Sequence, residues 1–182
     1  KEKGDYQLTS CCCPVWISMI RNIYHELMPH VPGAVSPMVA CGRMIKRMYP
    51  DAVTVFAGPC LAKKKEAREP DIADAVDYVL TFQEVKDIFE AADIHPEELE
   101  DDQKEHASKA GRLYARTGGV SQAVSEMVEQ LRPDRSIAVH AEQANGTKEC
   151  MAMIKRIQNK ETDANFFEGM GCIGGCVGGP KA

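Results

Sequence analysis

Eight cysteines are the side chains of this 182-residue sequence that are most able to do chemistry. Three of them are consecutive, from Cys11 to Cys13, and two lie four residues apart, Cys172 and Cys176. We expect no export signal, because no basic start precedes an apolar run. Disulfides are then disfavoured, because cytosolic reductants keep thiols reduced. Thiols at such spacing in a cytoplasmic protein indicate metal or cluster ligation.

The C-terminal segment surrounds its two cysteines with glycines, from Gly169 to Gly179. Two thiolates at positions i and i+4 fit one compact metal centre, and the glycines let backbone amides approach inorganic sulfur. By itself this spacing also fits a zinc pair or a chance placement on one helix face. Adjacent cysteines such as Cys11, Cys12 and Cys13 cannot all bind one tetrahedral site. Either one ligand lies beside a free thiol, or the segment is simply a cysteine-rich turn.

A third segment runs from Gly58 to Glu66 and combines Cys60 with a cluster of lysines. One interpretation is a solvated lysine run after a strand, with Cys60 as an incidental buried thiol. The other is a cluster ligand followed one turn later by Lys63, whose ammonium group pairs with an anionic ligand.

The pattern of apolar residues predicts alternating strands and helices. Short apolar or β-branched runs predict strands at residues 53–57, 76–80, 137–139 and 166–167. Helices are predicted over residues 16–28, from Ser36-Pro37 to Tyr49, after the Thr81–Glu84 capping box, after Gly118-Gly119, and through Met151, Ile154 and Ile157. This order predicts the α/β class, with a mostly parallel sheet flanked by helices. Residues 95–108 are acidic and polar and are expected to form a solvated excursion.

Two of the cysteine segments come directly after predicted strands. Cys60 follows the strand at 53–57, and Cys172 follows the strand at 166–167. Ligand sites of open α/β sheets lie beyond the carboxyl ends of strands, so distant cysteines are expected to converge on one point. Cys41 and Cys150 fall within helical patterns and are expected to be small core residues.

Taken together, the three segments resemble, in the same order, the three signature motifs of the [FeFe]-hydrogenases. The first motif of that family reads Thr-Ser-Cys-Cys-Pro-x-Trp, the second Met-Pro-Cys-x-x-Lys-x-x-Glu and the third Met-Ala-Cys-x-x-Gly-Cys. Residues 115–120 resemble a further glycine-glycine segment of the family, so the resemblance spans nearly the whole chain. It implies that residues 1–182 form the C-terminal part of the H-cluster domain, with the upstream half of that domain absent.

The resemblance also implies a role for each site residue. Four thiolates would hold a [4Fe-4S] subcluster, namely those of Cys13, Cys60, Cys172 and Cys176. The last of them would also bridge to a di-iron subcluster that carries CO, cyanide and a dithiolate. Cys12 would pass protons to the dithiolate, Lys63 would hydrogen-bond an iron-bound cyanide, and Met170 would pack beside the di-iron unit. The implied function is the reversible oxidation of H2 to protons and electrons. The isolated chain is expected to be inactive and to lack one or both clusters.

Several positions depart from the family pattern. Gly58 replaces the Met of the second motif, Cys11 is an extra cysteine, and Pro32 replaces a serine expected in the proton path of catalytic members. Such departures resemble divergent members proposed to sense hydrogen. Two other hypotheses are a non-catalytic relative of the Fe–S assembly type, which Cys12 and Lys63 argue against, and a zinc-binding module.

Composition restricts the partners. The net charge of -5 and the lack of a long basic run disfavour nucleic-acid binding, and no apolar run is long enough to span a membrane. By resemblance, the expected partners are H2 and protons, an electron-transfer Fe–S domain or ferredoxin, and the maturation proteins that build the di-iron unit. The expected location is the cytoplasm.

Overall fold

The structure, a computed structural model, describes residues 6–9, 11–101 and 107–182. The strands in these ranges are β1 (Gln7–Thr9), β2 (Val55–Ala57), β3 (Tyr78–Leu80), β4 (Ala141–Asn145) and β5 (Phe166–Met170). The α-helices are α1 (Pro14–Ile23), α2 (Pro37–Met48), α3 (Ala62–Glu66), α4 (Phe82–Ala91), α5 (Lys109–Leu113), α6 (Gly119–Leu131) and α7 (Thr147–Gln158). Short 3-10 helices cover His25–His30, Pro96–Glu98 and Cys176–Gly178.

The strands pair in parallel, which confirms the predicted α/β class. They are divided, however, between a three-stranded sheet of order β1-β5-β4 and a two-stranded sheet of β2 and β3. The central strand β5 pairs along its full length with β4, from Phe166 opposite Ala141 to Met170 opposite Asn145. The predicted strand at 137–139 was wrong, because the pairing begins only at Ala141 and the preceding residues are irregular.

The larger core lies between the three-stranded sheet and the helices α1, α6 and α7. Its largest fully buried side chains include Trp16, Leu8 and Phe167. A smaller core joins α2 to the two-stranded sheet, where Phe56 and Val79 pack against the buried cluster of Met38, Val39, Ala75 and Val76. Burial of these apolar faces is the main stabilising term for both layers.

The helix predictions after Ser36, Thr81 and Gly118, and the one through Ile154, are confirmed in position. The first helix instead ends at Ile23, and the following turn is 3-10 helix that contains Pro29. At the end of α1 the Tyr24 N–H donates to the carbonyl oxygens of Ile20 and Met19, and Pro29, which has no N–H, keeps the later turn from being α-helix.

Burial corrects two further expectations. Cys150 is fully buried in the core, as predicted, but Cys41 is exposed on α2. The buried face of α2 is instead formed by Met38, Val39 and Gly42. On α4, helical spacing predicts that Ile88 is buried, but it is half exposed. The described residues between 95 and 108 are exposed, as expected of a solvated excursion, while residues 102–106 lie outside the described part. No helix in the described ranges is long and apolar enough to cross a membrane.

Candidate metal centre

All seven residues to which the resemblance assigns a role line one small pocket. They are Cys12, Cys13, Cys60, Lys63, Met170, Cys172 and Cys176. The pocket lies where the start of α1, the start of α3 and the carboxyl end of β5 meet. Residues more than 160 positions apart in sequence thus share one site, which we call the thiol pocket; the ligands that these side chains bind stay a prediction.

Local backbone structure explains why these cysteines meet. Cys13 directly precedes Pro14 at the start of α1, and the fixed φ of proline suits the first helical position. Cys60 lies between β2 and α3, and Cys172 follows β5 by two residues. Parallel strands bring such junctions to one edge, as predicted, but here the edge is shared by two sheets.

A zinc ion and an iron–sulfur cubane would use the four thiolates differently. Around a single zinc, four thiolates converge on Zn–S distances of about 2.3 Å. In an iron–sulfur cubane each thiolate binds a different iron, so the sulfurs remain farther apart. Within the described ranges no group of three or more His, Cys, Asp or Glu side chains is placed to hold one metal ion. Four cysteines in one pocket are a donor set for either group, and metal analysis separates iron from zinc.

The glycines of the C-terminal segment allow a close approach to neighbouring elements. Gly175 has a φ of +83°, and a Cβ there would lie 2.6 Å from the carbonyl oxygen of Ala115. A Cβ at Gly169 would lie 2.3 Å from the ring of Trp16. Any other residue at Gly175 would therefore push the cysteine loop, residues 171–179, off the segment at 115–117. Any other residue at Gly169 would push β5 off α1.

A backbone amide already points at one predicted ligand. The N–H of Gly171 donates a hydrogen bond to Sγ of Cys13 at 3.3 Å. Amide donors of this kind stabilise a thiolate and tune the reduction potential of a cluster that the thiolate holds.

The pKa values of Cys172 and Cys176 are raised when no metal is bound. Burial, with the neighbouring Cys13 and Cys60 thiols, raises the pKa of Cys176 to about 11. Burial followed by the same two neighbours also raises the pKa of Cys172. A cationic metal reverses this balance because it stabilises the thiolate form.

Lys63 and Glu66 form a buried ion pair on α3, one turn apart. The Lys63 Nζ lies 2.7 Å from Oε2 of Glu66, and both side chains are almost fully buried. The same carboxylate oxygen has no aligned hydrogen-bond donor, so the contact is a charge pair rather than a directed hydrogen bond. Lys63 thus lines the thiol pocket, and its partner Glu66 lines the neighbouring cavity, so the ion pair lies between the two.

The two thiols ahead of Cys13 face different spaces. Cys12 lines the thiol pocket. Cys11 instead lines a separate cavity of about 390 Å³, together with Pro32 and Glu66. Burial, with the neighbouring Cys11 and Cys13 thiols, raises the pKa of Cys12 to about 12. The sequence left open which of the two thiols faces the metal site, and the structure places Cys12 there.

Gly58, which replaces a methionine of the family motif, is buried beside Phe56. A Cβ at this position would lie 2.8 Å from the Phe56 ring. A long side chain could therefore enter here only if Phe56 moved. The Phe56 ring of β2 occupies the space beside Gly58, so this departure from the family motif also involves Phe56.

The sequence did not indicate two polar residues near the site, the buried Glu168 and the half-buried Asn145. Glu168 is fully buried in β5 and accepts hydrogen bonds from the N–H groups of Gly118 and Ser121 and from the Ser121 hydroxyl, at 2.6–2.8 Å. Asn145 ends β4 and contacts the cysteine loop through Gly174. The charge of Glu168 inside an apolar run was a usable signal, but the misplaced strand at 137–139 hid the position of Asn145.

Comparison with known proteins agrees with this geometry. Residues 1–180 match the family model described as iron only hydrogenase large subunit, C-terminal domain. The chain is 29% identical to Iron hydrogenase 1 of Clostridium pasteurianum over 98% of its own length and 38% of the relative's. It is also 26% identical to Cytosolic iron-sulfur assembly component 3 of Bos taurus, over 94% of the chain and 46% of that protein.

The fold shows the same relationship. A solved structure of a variant of [FeFe]-hydrogenase HydA1 from Chlamydomonas reinhardtii superposes with a TM-score of 0.70 at 25% identity. That match covers 96% of this chain and 61% of the algal chain. The chain thus spans between 38% and 61% of the length of these relatives. With the family model matching nearly every residue, it belongs to the iron-only hydrogenase large-subunit family and corresponds to the C-terminal domain.

Proposed function

We propose that this chain forms part of an H-cluster domain that catalyses or senses the reversible oxidation of H2 to protons and electrons. The observation that carries the proposal is the thiol pocket. It is lined by the four predicted ligands, by the buried Lys63 and by a fifth cysteine, Cys12. Holding a [4Fe-4S] cluster needs only the four cysteines. The added lysine and thiol are groups suited to an anionic ligand and to proton transfer.

The donor set fits the cofactor that the family implies. Cys13, Cys60, Cys172 and Cys176 would hold the [4Fe-4S] subcluster, and Cys176 would bridge to the di-iron unit. When bound, these groups supply the metal site for H–H bond chemistry and the store for its electrons. Inside the protein, the Gly171 amide orients Cys13, and the 1% exposed Met170 forms an apolar wall that limits water.

The remaining residues would handle charge and protons. Cys12 holds a proton at Sγ, since its pKa of about 12 keeps the thiol neutral near pH 7, so it is a donor in its resting form. Lys63 presents a fixed positive charge to an anionic ligand, and its pairing with Glu66 limits the cost of burying that charge. Tyr114 packs against the buried cluster that contains Cys12.

A second candidate is a relative of the Fe–S assembly type, with the [4Fe-4S] cluster alone. The observation in its favour is the similarity to the bovine assembly component along 94% of the chain. Gly58, where the hydrogenase motif has methionine, is a further difference from the catalytic pattern. Against it, Lys63 provides a positive charge and Cys12 provides a proton donor, and a protein that holds only a [4Fe-4S] cluster requires neither.

We also propose that the complete site includes polypeptide outside this chain. The chain covers 38% of the clostridial relative, and the large cavity beside Cys11 is open to contributions from elsewhere. The proposed partners are an upstream half of the domain, a ferredoxin or Fe–S domain for electrons, and maturation proteins. A cytoplasmic location stays a prediction.

Anaerobic reconstitution with iron and sulfide tests the ligand assignment. We expect the chain to bind four irons and to develop the brown absorption of a [4Fe-4S] cluster, and Cys172→Ala to lose most of both. Cys41→Ala is the matched control, because Cys41 is an exposed cysteine outside the pocket. Unchanged iron content in Cys172→Ala would refute the assignment. After maturation, infrared bands of CO and cyanide would separate the hydrogenase from the assembly-type relative.

A further inference from the structure

Asn145 lies outside the thiol pocket, yet it holds the middle of the cysteine loop. Its Oδ1 accepts a hydrogen bond from the backbone N–H of Gly174 at 2.6 Å. The same oxygen accepts one from the hydroxyl of Thr117 at 2.9 Å. Gly174 is the central residue between Cys172 and Cys176, so one carboxamide connects the end of β4 to the loop that carries two predicted ligands.

The loop contains one short 3-10 helix, Cys176–Gly178, and a few backbone hydrogen bonds of its own. Gly174 and Gly175 have φ values of +87° and +83°. Glycine adopts many other backbone conformations in a free chain, so contacts must hold it in this one. Backbone contacts with the segment at 115–117 complete the attachment, with the Thr117 N–H donating to the Gly174 carbonyl at 3.3 Å. The Gly174 peptide is thus held from both sides, and its strongest contact by distance is with Asn145.

The position of Asn145 is itself fixed. Its backbone is the last paired residue of β4, opposite Met170, and its N–H donates to the Glu149 carboxylate at 2.9 Å. The Thr117 segment is in turn held by Glu168 through Gly118. The Asn145 oxygen therefore presents a rigid acceptor to a loop that would otherwise move.

We propose that Asn145 is a positioning residue for the metal centre, which acts through the Gly174 peptide to set the separation of Cys172 and Cys176. The expected effect of Asn145 on the cluster rests on the proposed function. Its effect on the loop does not, because that effect is measured in the protein without metal. Because the carboxamide touches no predicted ligand, its effect would reach the cluster through backbone geometry alone.

The first test measures hydrogen–deuterium exchange at the Gly174 amide by NMR in the protein without cluster. Asn145→Leu and Asn145→Ala should each speed exchange about tenfold, the change expected for loss of one net hydrogen bond. Asn145→Asp keeps an acceptor oxygen and should restore slow exchange. Asn165→Leu is the matched control, since Asn165 also joins two loop backbone groups, at the opposite end of β5.

The second test follows the reconstituted cluster. Both Asn145→Leu and Asn145→Ala should shift the EPR signal of the reduced cluster and release iron to a chelator several times faster, whereas Asn145→Asp and Asn165→Leu should keep the wild-type EPR signal. Wild-type exchange and EPR in the two Asn145 variants would overturn the inference, as would equal effects of Asn165→Leu. If wild-type protein binds no cluster, the proposed function fails, and the exchange measurement still decides whether Asn145 holds the loop.

Discussion

Cys11 and Cys12 are neighbours in the chain, but their thiols lie in different surroundings. Cys12 contacts the thiol pocket and Tyr114, whereas the Cys11 Sγ lies 3.7 Å from the carbonyl oxygen of Val35, beside the large cavity. The family resemblance named seven residues, and the structure places all seven in one pocket; their roles stay a prediction. The partners of Asn145 and Glu168 could not be predicted, because hydrogen bonds to loops 28 to 50 residues away in sequence depend on tertiary structure.

Substitution of the three consecutive cysteines should give three different results. In the matured protein that includes the upstream half, Cys12→Ala should keep the cluster and the CO and cyanide bands but slow H2 turnover about a hundredfold or more, because the proton donor is lost. Cys13→Ala should lose the cluster itself. Cys11→Ala should retain both, because its thiol faces the other cavity. Full activity of Cys12→Ala, alone and combined with Cys11→Ala, would exclude this proton path.

Iron binding should strengthen as pH rises. Each ligand must lose a proton, and the thiol of Cys176 has a pKa raised to about 11. At any pH below that value the proton competes with iron, so each such thiol adds about one unit of log affinity per pH unit. Competition with a chelator of known protonation, measured from about pH 7 to about pH 9, checks this. An affinity independent of pH would mean that these thiols are not the ligands.

At the scale of elements, local signals predicted what local interactions determine. The capping box is present as expected, with the Thr81 hydroxyl accepting from the Glu84 N–H and the Glu84 carboxylate accepting from the Thr81 N–H. The strand β4, with sequence Ala-Glu-Gln-Ala-Asn, has weak intrinsic β preference and forms because β5 lies beside it. The three-residue strand β1 was missed for the same reason, since it exists through pairing with β5.

Glu168 is the strongest link between β5 and α6, and its replacement should be costly. Glu168→Ala would leave the buried N–H of Ser121 and the N–H of Gly118 without their acceptor. We expect a loss of about 3 kcal/mol in the free energy of unfolding, or roughly 10 °C in Tm. Glu168→Gln should cost less, because one acceptor oxygen remains. Thermal and urea unfolding measure both, with the exposed neighbour Gln143→Ala as control. A fall in Tm equal to that of the control would contradict this role.

At the scale of the molecule, the two sheets differ in how well they are covered. Strand β5 is buried along its whole length, whereas the outer face of the two-stranded sheet exposes Val55 and Tyr78, which are directly opposite each other. Both β2 and β3 are edge strands, and a two-stranded sheet is marginally stable by itself. The sequence predicted these strands from apolar runs but could not show that one of their faces remains open.

The exposed face should become protected when the upstream half of the domain is present. In a longer polypeptide, hydrogen exchange of residues 55–57 and 78–80 should slow markedly relative to this chain alone, because added polypeptide would pair with the open edges and cover Val55 and Tyr78. Residues 166–170 serve as the internal control, since β5 already has a partner on each side. Val55→Lys should reduce the gain in protection by placing a charge in the new contact. Equal exchange of the two-stranded sheet in both proteins would show that the added polypeptide packs elsewhere, and the proposal that it completes this layer would then fail.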